Sequence, residues 1–109
     1  KLCDLAARPG PASYLTYMKV HLLGDLALVA FPGELYALQG LALAHASPAR
    51  FTLPVGYAGD YMGYLTPAGD PDGYESDSAL VAPGAAERLV AVALSMLKEA
   101  QSQCSSESP

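Results

Sequence analysis

Residues 26–31 form a run of six apolar side chains that ends at Pro32 and Gly33. The run is much shorter than the ~20 residues that cross a membrane, and it is also short for a helix. Its length predicts a strand that could be covered on both faces of a sheet. Residues 15–23 alternate between apolar and polar side chains, which predicts a half-buried strand. The turn signal Gly24-Asp25 makes the two strands a β-hairpin.

Two helices and a third strand are predicted beyond the hairpin. Residues 32–34 break the second strand, and a helix of about a dozen residues is predicted to follow as far as Ala46. Residues 51–57 predict a strand in which Pro54 indicates a sheet edge or a bulge. The last helix is predicted from Ala85 to about Ala100. The order β-hairpin, α, β, long loop, C-terminal α predicts a small layered α/β fold.

The core faces of both helices are predicted from the spacing of their apolar residues. In the first helix the residues at helical spacing are Leu35, Leu38, Leu41 and Ala42. In the last helix the predicted stripe is Leu89, Val92, Ala93, Met96 and Ala100.

The two ends of the chain are predicted to lie outside this folded part. Residues 1–14 are predicted to be an irregular N-terminal segment, residues 15–101 the α/β part, and residues 102–109 a disordered polar tail. Cys3 and Cys104 can form a disulfide only if the fold brings the two ends together. The ends carry no targeting signal, so they predict no particular cellular compartment.

The composition excludes some partners and suggests others. The net charge is −5, and the six Lys and Arg residues do not cluster, so a nucleic-acid interface is not predicted. No apolar run is long enough to predict a transmembrane segment. Charged residues make up 16% of the chain, whereas about a quarter is usual for a soluble domain. This deficit suggests that some apolar surface contacts another chain or another part of a longer chain.

The best place for a site is the segment 56–84, which has no helical or strand periodicity and is rich in Gly, Pro and Tyr. Its phenols could bind a metal or donate to an oxyanion; alternatively, their rings pack over the sheet edge. Glu34, at the end of a buried strand, could reach a metal or substrate. The alternative is a carboxylate that caps the following helix. His21 and His45 show no metal-ligand spacing, and no nucleophilic Ser motif is present.

Three motifs in this order resemble the neutral/alkaline (non-lysosomal) ceramidase family. They are GDLALVAFPGE at residues 24–34, GYAGDYMGYLT at residues 56–66, and GYE at residues 73–75 with Ser78 following. The resemblance covers roughly residues 15–100 and corresponds to the C-terminal portion of the family's catalytic domain.

The resemblance implies a zinc-dependent amidohydrolase that cleaves an N-acyl amide, in this family a sphingolipid. It implies that Glu34 and Tyr64 are zinc ligands and that Tyr74 stabilises the oxyanion. The family's two zinc-binding histidines and its serine come from an upstream region that no residue here matches. We therefore expect a partner chain or an upstream part of the same domain to complete the site, and the isolated chain to be inactive. The alternative is a non-catalytic α/β interaction module that keeps the fold.

Overall fold

A computed structural model describes residues 15–69 and 73–107, with side chains described as far as Cys104. Three strands, β1 (Lys19–Leu23), β2 (Leu26–Ala30) and β4 (Phe51–Val55), form one sheet in the order β1-β2-β4. β1 and β2 are antiparallel, which confirms the predicted hairpin, and Gly24 in its turn has a positive φ of 61°. β2 and β4 are parallel.

The remaining elements complete a mixed α/β fold. A second, two-stranded parallel sheet pairs β3 (Glu34–Leu35) with β5 (Tyr64–Leu65). The helices are α1 (Ala37–Ala46), the short α2 (Tyr74–Ser78) and the long α3 (Ala85–Glu107). β5 and α2 lie inside the segment for which the sequence predicted no regular structure.

Of the two positions that Pro54 indicated, a sheet edge or a bulge, the structure shows the edge, because β4 is the last strand of the sheet. The Phe51 N–H donates to the Asp25 carbonyl, and the Val55 carbonyl accepts from the Phe31 N–H, so these two β4 residues face β2. Because hydrogen-bonding direction alternates along a strand, Pro54 points to the free edge, where it lacks an N–H to offer another strand.

One face of the larger sheet is covered by helices α1 and α3. The fully buried core residues are Ala27, Val29, Phe31, Leu43, Leu65, Ala86, Ala93 and Leu97. The described residues leave the other face of the sheet uncovered. Leu23, Phe51 and Leu53 on this face are 60%, 56% and 51% exposed. The run at residues 26–31 is therefore covered on one face by the described part of the chain.

The predicted core face of α1 is wrong. Leu38 and Leu41 are 74% and 67% exposed, and the buried residues of the helix are Gly40 and Leu43. Helix α1 is apolar on most of its surface, so periodicity did not single out one face. The absence of a side chain at Gly40 decides which face of α1 packs on the sheet, because a Cβ there would lie 3.3 Å from Cγ of Pro54. The helix thus approaches β4 through its smallest residue.

Helix α3 differs from its prediction in its stripe and in its length. Ala93 is buried as predicted, whereas Val92 is 49% exposed and Leu97 is fully buried. The helix continues to Glu107, so residues 102–107 belong to it rather than to a separate tail. Polar residues in this last part do not interrupt a helix whose apolar side is already packed. Cys3, the predicted disulfide partner of Cys104, lies outside the described residues.

No helix in the described part of the chain has the length and apolar character needed to cross a membrane.

Candidate functional site

Glu34 lies in strand β3, directly after the buried end of β2. Its N–H donates to the Gly63 carbonyl at 2.9 Å, and its Cα is paired in register with that of Tyr64. Helix α1 begins three residues later, at Ala37. Glu34 is therefore not in the first turn of a helix, and the interpretation of this residue as a helix cap is wrong.

Glycine at position 33 permits this strand pairing. A Cβ on Gly33 would collide with the carbonyl oxygen of Gly63 and would also press on the Leu65 side chain at 3.1 Å. The Gly33 carbonyl accepts a hydrogen bond from the Tyr57 N–H at 3.1 Å. The loop after β4 is thus hydrogen-bonded to the backbone of the residue directly before Glu34.

The carboxylate of Glu34 accepts hydrogen bonds from two phenols of this loop. The Tyr57 hydroxyl donates to Oε1, and the Tyr61 hydroxyl donates to Oε2 at 3.0 Å. The two rings stack with their centroids 5.4 Å apart and their planes within 5°. Tyr57 also has a φ of 54°, a left-handed conformation that costs a non-glycine residue about 1–2 kcal/mol. Strained backbone of this kind often occurs at functional sites.

Tyr64 and Tyr74 are the second pair of tyrosines at the Glu34 site. Register partners on adjacent parallel strands project to the same face, so Tyr64 is the direct neighbour of Glu34. The ring of Tyr74, at the start of α2, meets the ring of Tyr64 at 82° with a centroid distance of 6.0 Å. The structure therefore brings together the three residues that the sequence singled out.

The negative charge of Glu34 acts on the surrounding phenols. Its hydrogen bond with Tyr57 raises the pKa of that phenol to about 12, and the corresponding bond raises the pKa of Tyr61. Desolvation raises the pKa of Tyr64, and the charges of Glu34, Tyr74 and Glu75 raise it further. All three phenols are therefore protonated at neutral pH, and those of Tyr57 and Tyr61 donate hydrogen bonds to Glu34.

The raised pKa of Tyr57 predicts a specific pH dependence. Because the folded chain holds this proton more tightly than the unfolded chain, the stabilisation is fully present below pH ~10 and is lost as the pH rises towards about 12. NMR of the phenol ring carbons should show Tyr57 titrating near 12. We expect Glu34→Gln to lower this pKa, while Glu75→Gln leaves it unchanged. A Tyr57 that titrates at its ordinary value in the unmodified chain would contradict this assignment.

Two cavities meet at Glu34. A groove of about 640 Å³ runs between α1 and β4; its walls include Leu41, Ala44 and Pro54, and Glu34 and Tyr57 lie among its polar lining residues. A smaller cavity of about 290 Å³ is lined by Glu34, Leu35, Tyr36, Tyr64 and Glu75. Glu34, Leu35 and Tyr36 thus line both the mostly apolar groove and the smaller cavity.

The described residues were compared with the ligands that a catalytic zinc ion requires. No group of three or more His, Cys, Asp or Glu side chains that could hold a metal ion occurs among residues 15–69 and 73–104. Glu34 and Tyr64 supply one carboxylate and one phenol on neighbouring strands. The donor set fits two ligands of a zinc ion, and a catalytic zinc needs a third from elsewhere. His21, on β1, and His45, in the last turn of α1, are exposed and line neither cavity.

Comparison of the chain with protein-family models, with curated proteins and with solved structures gives no significant match.

Three further residues belong to the site although the sequence did not single them out individually. Tyr57 and Tyr61 hold the Glu34 carboxylate, and Glu75 lines the smaller cavity. The density of Tyr in residues 56–64 was a signal for the first two. No feature of the sequence alone indicated that Glu75 faces the same cavity as Glu34.

Proposed function

We propose that this chain is the C-terminal segment of a ceramidase-like, zinc-dependent amidohydrolase that cleaves an N-acyl amide. In this proposal Glu34 and Tyr64 are metal ligands and Tyr74 stabilises the oxyanion. Two histidines from a partner chain or an upstream part of the domain complete the metal site, so the isolated chain is inactive.

The observation that carries the proposal is the register pairing of Glu34 with Tyr64, with Tyr74 in contact with Tyr64. Tyr64 and Tyr74 follow Glu34 by 30 and 40 positions in the sequence, yet β3, β5 and α2 bring the three residues into one cluster. A carboxylate, a metal-binding phenol and a second phenol are the groups that the resemblance assigns to this part of the active site.

Each of these groups has a defined chemical task. A bound zinc ion would polarise the carbonyl of the substrate amide and activate a water molecule. The hydroxyl of Tyr74 would donate a hydrogen bond to the carbonyl oxygen as negative charge develops on it. The hydroxyls of Tyr57 and Tyr61 hold both oxygens of Glu34, which fixes the orientation of this ligand.

The larger groove supports an amide with a long apolar acyl chain. It begins beside Glu34 and is lined mainly by apolar residues of α1 and β4, among them Leu35, Leu41 and Pro54. Its volume of about 640 Å³ lies within the range of small-molecule sites. A lipid amide could place its acyl chain here and its carbonyl near Glu34.

Zinc binding with imidazole as a substitute for the missing histidines tests the proposal. Without imidazole we expect weak binding in equilibrium dialysis at neutral pH, because two protein ligands rarely hold zinc. With imidazole we expect tighter binding and NMR shifts at Glu34 and Tyr64, both lost in Glu34→Gln. Glu99→Gln, which removes the same charge from the exposed side of α3, is the control. Zinc binding that Glu34→Gln does not change would contradict the proposed site.

The open apolar face of the β1-β2-β4 sheet favours the alternative, a non-catalytic interaction module. Leu23, Phe51 and Leu53 expose more than half of their surface on this face. The zinc and imidazole titration separates the two functions, because an interaction module has no need of a metal at Glu34 and Tyr64.

A further inference from the structure

The smaller cavity beside Glu34 combines two carboxylates with aromatic walls. Glu34 and Glu75 reach it from β3 and α2, and Tyr36 and Tyr64 supply rings. The edge contact with Tyr74 fixes the ring of Tyr64. Its volume of about 290 Å³ admits a small organic group and is larger than a bare ion needs.

No described positive charge compensates these two carboxylates. The one salt bridge among residues 15–69 and 73–104 joins Arg50 to Asp25, on the turn side of the β1-β2-β4 sheet. The net charge of −5 adds to the attraction for a cation.

We propose that the cavity lined by Glu34, Tyr64 and Glu75 binds an organic ammonium group. A carboxylate attracts the charge of such a group, and an aromatic face attracts it through the ring quadrupole. Leu35 offers apolar contact to the carbon atoms next to the nitrogen. A hydrated inorganic cation gains little from aromatic and aliphatic walls, so the lining favours the organic ion.

The ammonium site does not depend on zinc. It shares Glu34 and Tyr64 with the proposed metal site, so in a zinc-loaded enzyme Glu75 is the carboxylate that remains for the ammonium group. The acyl groove and this cavity both border Glu34. An amide with its acyl chain in the groove would direct its amine half towards Glu75. The amine released by hydrolysis takes up a proton at neutral pH, and the resulting ammonium matches the cavity.

The test is a titration of the chain with methylammonium chloride, followed by NMR in the presence of a metal chelator. We expect saturable shifts at Tyr64 and Glu75 and no saturable shifts at equal concentrations of sodium chloride. Glu75→Gln should weaken binding by about threefold to fivefold, the effect of one exposed charge pair. Glu99→Gln, which lowers the net negative charge equally, should leave the affinity unchanged.

Three results would overturn the ammonium site: no saturation, the same shifts with sodium, or equal losses of affinity in the two variants. Failure of the proposed function has a different signature. Zinc binding in the presence of imidazole would be insensitive to Glu34→Gln, while methylammonium binding in the chelator remained. The two experiments therefore separate the two proposals.

Discussion

Phe31→Ala is expected to lower the free energy of unfolding by about 3–5 kcal/mol, the usual cost of removing a buried phenylalanine side chain. Phe31 is fully buried. Its N–H donates to the Val55 carbonyl, and its carbonyl accepts from the Ala58 N–H. The ring therefore supports the point where β2 and β4 end and the Glu34 site begins. Chemical denaturation followed by circular dichroism measures the change.

Phe51→Ala is the matched control, because Phe31 and Phe51 are the two phenylalanines of the chain. Phe51 is 56% exposed on the open face of the sheet, so its removal should cost below about 1 kcal/mol. Equal losses for the two variants would contradict the assignment of Phe31 to the core. A larger loss for Phe51 would show that the open face is covered in solution.

Tyr74→Phe is expected to lower kcat by about 10²–10³ in an enzyme that contains this segment together with its histidine ligands. The variant keeps the ring that contacts Tyr64, so folding should change by no more than about 1 kcal/mol for the lost hydroxyl. Zinc content should stay unchanged. Steady-state kinetics and metal analysis of the same preparation measure both quantities.

Tyr64→Phe is the informative comparison for this result. It removes a proposed metal ligand, so zinc occupancy should fall together with the rate. If both variants keep full activity, the phenols are packing residues and the roles implied by the ceramidase resemblance are wrong. If Tyr74→Phe unfolds the protein, the hydroxyl of Tyr74 is structural.

Local signals in the sequence predicted the elements that depend on local chemistry. Gly24 supplies the positive φ of the hairpin turn, and Pro54 lies on a sheet edge, where its missing N–H costs least. The exposed positions Leu38 and Leu41 could not be predicted, because the face of α1 is decided by the contact between Gly40 and Pro54. That contact joins residues from different elements, so the spacing of apolar residues within the helix does not indicate it.

The site likewise has residues that local motifs indicated and contacts that depend on the tertiary fold. Glu34, Tyr64 and Tyr74 were singled out from motifs, and their proximity is now explained by the parallel pairing of β3 and β5. The hydrogen bonds from Tyr57 and Tyr61 to Glu34 could not be predicted, because they depend on how the loop after β4 folds over residues 31–34. Spacing in the sequence carries no information about that path.

The parallel pairing of β3 and β5 has a consequence for how such a site can diversify. Glu34 and Tyr64 are joined through adjacent backbones, whereas Tyr74 follows residues 66–73 and meets Tyr64 through its ring. Insertions or deletions in that connection would displace Tyr74 and leave the other two residues in register. A change in the length of this connection would thus alter the proposed oxyanion-stabilising group independently of the proposed metal-binding pair, so that related chains would gain or lose reactivity while keeping the same affinity for the ion.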